Sequence, residues 1–162
     1  MFVPKKTSLW LFSVIAPLLF STWLHAAEEP AKLPATNAKA IGYVMKTEGD
    51  AAVIVDGKAQ PATVGMPVFV GSSIKTGANG SLGVTLEDNT LMSFGPNSQL
   101  SFDAFVYEPS AQDLKLSAKI THGTLNYISG VIAKLKPEAV EINTPTGTIG
   151  VRGTHFLVKV DG

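Results

Sequence analysis

The chain has 162 residues, room for one domain with a leader or tail and little more. Lys plus Arg and Asp plus Glu both number 13, so the basic excess of a dedicated DNA- or RNA-binding protein is missing. Cysteine is absent, which excludes disulfide frameworks, thiolate nucleophiles, thiolate zinc sites and a lipidated N-terminal cysteine.

Residues 1–26 have the three parts of a secretory signal peptide. Lys5 and Lys6 supply the positive end, Leu9 to Leu24 the apolar middle, and His25-Ala26-Ala27 the small-residue exit. The apolar run is shorter than the ~20 residues a membrane-spanning helix needs, so a cleaved leader is expected over a retained anchor. Cleavage after Ala26 removes two basic and no acidic residues, leaving 136 residues at a net charge of −2. Trp10 and Trp23 leave with it, and they are the only tryptophans.

Residues 27–40 read AEEPAKLPATNAKA, too poor in large apolar groups to offset the entropy of ordering, and are expected to be a flexible linker. From residue 41 to 162 short apolar segments alternate with turn residues. Ala51 to Val55 reads as a strand, and Asp56-Gly57 after it as a hairpin turn. Ser81 to Leu86 alternates Leu82, Val84 and Leu86, Asp88-Asn89 makes a turn, and Leu91 to Phe94 returns. Leu100 and Phe102 continue the pattern, followed by Phe105 and Tyr107. Leu114, Leu116, Ala118 and Ile120 alternate strictly, the mark of a half-buried strand. His122-Gly123 is expected to end that strand, with Leu125 and Tyr127 opening the next. Only residues 131–139 have room for a helical turn, and Phe156, Val158 and Val160 face inward in a closing strand. Such spacing predicts an all-β domain, solenoid-like or a sandwich. A weak repeat relates IKTGANGSLGV at 74–84 to INTPTGTIGV at 142–151, readable as a duplicated strand-turn-strand unit, as solenoid rungs or as coincidence.

Catalytic chemistry finds little footing. No serine sits in G-x-S-x-G, and neither His122 nor His155 has a His, Asp or Glu three or four residues away. Glu87-Asp88 reads as solvated charge at a hairpin tip. The glycine triplets 77, 80, 83 and 147, 150, 153 lead into strand chemistry, whereas a phosphate loop must open a helix. Arg152 is the only arginine; set among glycines, it is expected to pin loop carbonyls, with an anion contact to a partner as the other reading. No catalytic, cofactor or metal residues are expected.

The ordered motifs resemble the FecR periplasmic-domain family over about residues 41–160. Ile74-x-Thr76-Gly77, followed by Leu82, Val84 and Glu87-Asp88-Asn89-Thr90-Leu91, is similar to the family's "hydrophobic-x-T-G … DG-[ST]-L" core. Gly123-Thr124-Leu125 resembles its "L-x-x-G" step. Ile142-x-Thr144-Pro145-Thr146-Gly147-Thr148 with Val151-Arg152-Gly153-Thr154-x-Phe156-x-Val158 resembles its "V-x-T-P … V-R-G-T-x-F-x-V" close. The resemblance implies a non-catalytic β domain in the periplasm. In the family's best-known members that domain receives a signal from an outer-membrane transporter and relays it to a sigma factor. This sequence departs from that plan: no anti-sigma segment precedes its apolar run, and it ends at Gly162 where members commonly continue.

The expected organisation is therefore a signal peptide at 1–26, a linker at 27–40 and a FecR-like domain at 41–162. The motif residues Thr76, Gly77, Asp88, Gly123, Thr144, Pro145, Gly147, Arg152, Gly153, Thr154 and Phe156 are expected to be structural. The expected function is a periplasmic or secreted, non-enzymatic module that binds an envelope protein, such as an outer-membrane transporter or an inner-membrane regulator. A module that binds peptidoglycan or polysaccharide is the alternative, and a carboxylate hydrolase the remote one. Strand 154–160 lies near the chain end, so Leu157 and Lys159 mark an expected partner edge.

Overall fold

A computed structural model describes residues 38–153 and 155–161. The expected leader, most of the expected linker and Thr154 lie outside them. Twelve strands form one curled, mostly antiparallel sheet whose two halves face each other across a single core, a sandwich and not a solenoid.

One half is built from β1 (Gly42–Glu48), β4 (Pro67–Val68), β6 (Ser81–Leu86), β7 (Leu91–Phe94) and β12 (His155–Val160). The other holds β2 (Ala51–Val55), β3 (Lys58–Pro61), β5 (Ser73–Thr76), β8 (Gln99–Glu108), β10 (Val140–Thr144) and β11 (Gly147–Gly150). β9 (Asp113–Ile128) belongs to both. Its first part lies between β8 and β10, the latter parallel to it, and its last residues lie between β7 and β12.

The expected break at His122-Gly123 is therefore a bend within one strand of 16 residues. Gly123 has φ +92°, and a Cβ there would collide with the Ser98 backbone. The bend also explains a change of parity. Leu114, Leu116, Ala118 and Ile120 point into the core before Gly123, and Leu125 and Tyr127 after it. A bulge at Asp103 in β8 does the same, letting Leu100 and Phe102 share the core side with Phe105 and Tyr107.

Strand chemistry fits the expectations elsewhere. Asp56 and Gly57 both have positive φ and join β2 to β3. Residues 131–139 hold α1 (Val131–Leu135) and a 3-10 turn at Pro137–Ala139. The repeat has no structural counterpart: Ile142 and Gly150 lie in one hairpin, whereas Ile74 and Gly83 lie in opposite halves of the sheet. Among the described residues no helix is long and apolar enough to cross a membrane.

Candidate functional site

The first motif cluster ties β5 to the bend in β9. Thr76 is buried, and its hydroxyl donates to the Gly95 carbonyl (2.7 Å) while accepting from the Ser98 amide (2.8 Å). The Ser98 hydroxyl in turn donates to the same carbonyl (2.9 Å) and accepts from the Thr124 amide (2.9 Å). Gly77 donates its N–H to the Asp50 carbonyl at 2.7 Å, and a side chain at Gly77 would press on Asp50. Thr76, Gly77 and Gly123 thus hold the crossover between the two halves. Ser98 is central to it, yet no sequence motif singled it out.

Asp88 corrects the reading of Glu87-Asp88 as solvated turn charge. Glu87 is partly exposed and pairs with Lys39 at 3.0 Å, which raises the lysine pKa. Asp88 is fully buried. Its carboxylate accepts from the Thr90 amide (3.0 Å), the Thr90 hydroxyl (2.8 Å) and the Ile132 amide (3.2 Å), and its carbonyl accepts from the Val131 amide (2.7 Å). The Gly130 amide donates to the Thr90 hydroxyl (3.2 Å). The β6–β7 turn is buried because residues 130–132 fold over it, and the Asp88 carboxylate and carbonyl each take up one amide at the start of α1 that the helix cannot satisfy itself. Tyr127 is buried alongside, with its hydroxyl close to those of Thr90 and Ser129 but in hydrogen-bond geometry with neither. Burial pushes its pKa up to about 12, against the opposing effect of the Thr90 and Ser129 hydroxyls.

Beyond α1 lies an open groove lined by Ser129, Ala133, Lys134, Pro137, Arg152 and Gly153. The Ser129 hydroxyl donates to the Gly153 carbonyl, and Val151 is buried, so both flanks of Arg152 are tethered. Arg152 itself is exposed and makes no ion pair or side-chain hydrogen bond among the described residues. The expectation that it pins loop carbonyls is therefore corrected. The Ser129 hydroxyl and buried Val151 do the tethering, leaving the guanidinium at the surface.

The remaining motif builds the β10–β11 hairpin. Thr144 accepts from the Gly147 amide (3.1 Å) and donates to the Gly147 carbonyl (2.9 Å), closing the turn through Pro145 and Thr146. Among the described residues β11 pairs with β10 alone and β12 with β9 alone, so each has one edge that no described strand pairs. A second groove of about 410 Å³ lies between them, lined by Thr144, Thr146, Ile149, Val158, Val160 and their neighbours. In β12, Val158 is buried and Phe156 stacks on Tyr127 with ring centroids 4.7 Å apart. Leu157 is 70% exposed, and Lys159 pairs with Asp161 at 2.7 Å, which raises the lysine pKa. His155, on the same outer face, bonds Asn126. No group of three His, Asp or Glu placed to hold a metal occurs among the described residues.

The motifs of the two halves, far apart in the chain, thus meet at the β9 crossover and around residues 129–132. The family model FecR protein matches residues 72–162, from the end before β5 through the whole of β12. The chain belongs to the FecR family. FecR domains are periplasmic and act in signalling and regulation, and they are not typically enzymes. Neither the curated proteins nor the solved structures contain a match to this chain. The FecR match starts just before Ile74 and takes in Asp88, Gly123, Thr144 and Arg152, the residues that build the crossover, the buried turn and both grooves.

Proposed function

We propose that this chain is an exported, non-enzymatic FecR domain that binds a protein partner in the cell envelope by accepting a strand at the free edge of β12. The observation that carries this reading is the open side of the sandwich. Two strand edges, β11 and β12, border one groove whose floor includes the apolar Ile149, Val158 and Val160. An added strand would satisfy free backbone groups and cover that apolar surface together. Family membership supports a regulatory role carried out through protein contact, and the leader-like residues 1–26 support export.

A photo-crosslinking residue at Leu157, expressed in the native envelope, tests the proposal. A discrete protein adduct is expected. Successive N–H groups of a strand point to opposite edges, so Leu157→Pro and Val160→Pro remove donors from opposite sides of β12. With the crosslinker moved to Lys159, the variant that keeps wild-type stability identifies the outward side, and it should abolish the adduct. An adduct that survives in that variant overturns strand addition. Absence of any protein adduct, with sedimentation on peptidoglycan instead, overturns the protein-partner reading.

A further inference from the structure

Separate from the β12 edge, the groove beside α1 has the chemistry of a receptor for an acidic segment. We propose that it docks a stretch of a protein partner in which carboxylates flank an apolar side chain. Lys134 and Arg152 both line the groove, one from α1 and the other from the segment leading to β12. Neither is within ion-pair distance of a carboxylate among the described residues, although Lys39, Lys46 and Lys159 each have one. The nearest acidic neighbour on this stretch, Glu138, lines a different depression with Lys136 and Leu135. The buried Asp88 has its carboxylate occupied by Thr90 and Ile132.

Besides the two cations the groove is lined by Ala133 and Pro137, and more of its lining is apolar than polar. A free phosphate would leave that apolar part unused, so the lining favours a peptide. Leu135, next to Lys134 and 61% exposed, adds an apolar contact on the adjoining side of α1. Both flanks are fixed in advance: Asp88 and Thr90 hold the start of α1, and the Ser129 hydroxyl holds Gly153. A site whose walls are already ordered loses less entropy on binding than one formed by free loops.

The test is an amide-resolved NMR titration of the mature chain with a capped Leu-Asp-Leu-Glu-Leu peptide, against its Asn and Gln counterpart, inorganic phosphate and anionic phospholipid vesicles. The acidic peptide should shift residues 129–137 and 151–153, and its binding should weaken as salt is raised. The uncharged counterpart should bind at least tenfold more weakly, as should the Lys134→Gln, Arg152→Gln double variant, whose circular dichroism should match wild type. Equal binding of the two peptides, or shifts confined to residues 155–160, overturns the proposal. So does a preference for phosphate or vesicles over the acidic peptide. The edge proline that keeps wild-type stability leaves this titration unchanged, so its failure and that of strand addition are distinguishable.

Discussion

Replacing Asp88 by asparagine keeps the shape of a fully buried side chain while removing its charge and half of its accepting capacity. The carboxylate accepts from two backbone amides, Thr90 on one oxygen and Ile132 on the other, and from the Thr90 hydroxyl. A hydroxyl can turn and accept, but a backbone N–H cannot. Whichever way the new amide is oriented, its NH₂ group faces one of those two N–H groups and leaves it without an acceptor. A hydrogen bond to a charged group contributes about 1.5–3 kcal/mol, so Asp88→Asn should cost about 2 kcal/mol. Asp88→Ala leaves all three donors unpaired and should cost on the order of 4 kcal/mol, a large part of the ~5–15 kcal/mol that stabilises a typical domain. Urea unfolding of residues 27–162, followed by circular dichroism, measures both. With an m-value of roughly 1.5 kcal/mol per molar, the asparagine variant should unfold at a midpoint lower by roughly 1.3 M. Hydrogen exchange at Thr90 or at Ile132, whichever amide the new NH₂ group faces, should accelerate more than the global loss requires. An asparagine variant within about 0.3 M of wild type, or exchange at both Thr90 and Ile132 unchanged relative to other core amides, would refute the argument.

Tyr127 has a raised pKa of about 12 from burial, so its protonated form is the one that the fold favours. Below the unfolded pKa of about 10 both states hold the proton and this group adds no pH dependence, and the fold loses stability as pH rises from there toward 12; absorbance titration of the three tyrosines should show one ionising late, and Tyr127→Phe should remove that step. The same variant deletes a buried hydroxyl without a partner and should raise stability by about 1 kcal/mol in urea unfolding. Gly123→Ala places a Cβ against the Ser98 backbone at φ +92° and should cost more than about 2 kcal/mol by the same assay, or yield no soluble domain. Arg152→Ala should change stability by less than about 0.5 kcal/mol, since the side chain is exposed and unbonded among the described residues; a larger loss would reinstate a structural role.

Periodicity and turn chemistry alone determined most of the strands. Leu82, Val84 and Leu86, or Leu114 through Ile120, alternate because one face of each strand is buried, and Asp56-Gly57 carries its turn in its own backbone preferences. Local features of this kind are written within a few residues of the chain. The ordered motifs likewise pointed to the FecR family, which the match over residues 72–162 bears out. What they did not reveal was which residues the motifs touch. Asp88 reads as a solvated turn charge until Gly130–Ile132, more than 40 residues later, covers it. Ser98 has no periodic signal, because its partner Thr124 lies 26 positions away and contributes a backbone amide that no side-chain identity announces. His122-Gly123 reads as a strand end, since positive φ usually means a turn, but pairing on both sides carries β9 through the bend. Arg152 looks like a turn-pinning donor until Ser129, 24 residues away from Gly153, is found in that role. Burial and charge compensation depend on what packs over a residue, and only the tertiary arrangement decides that.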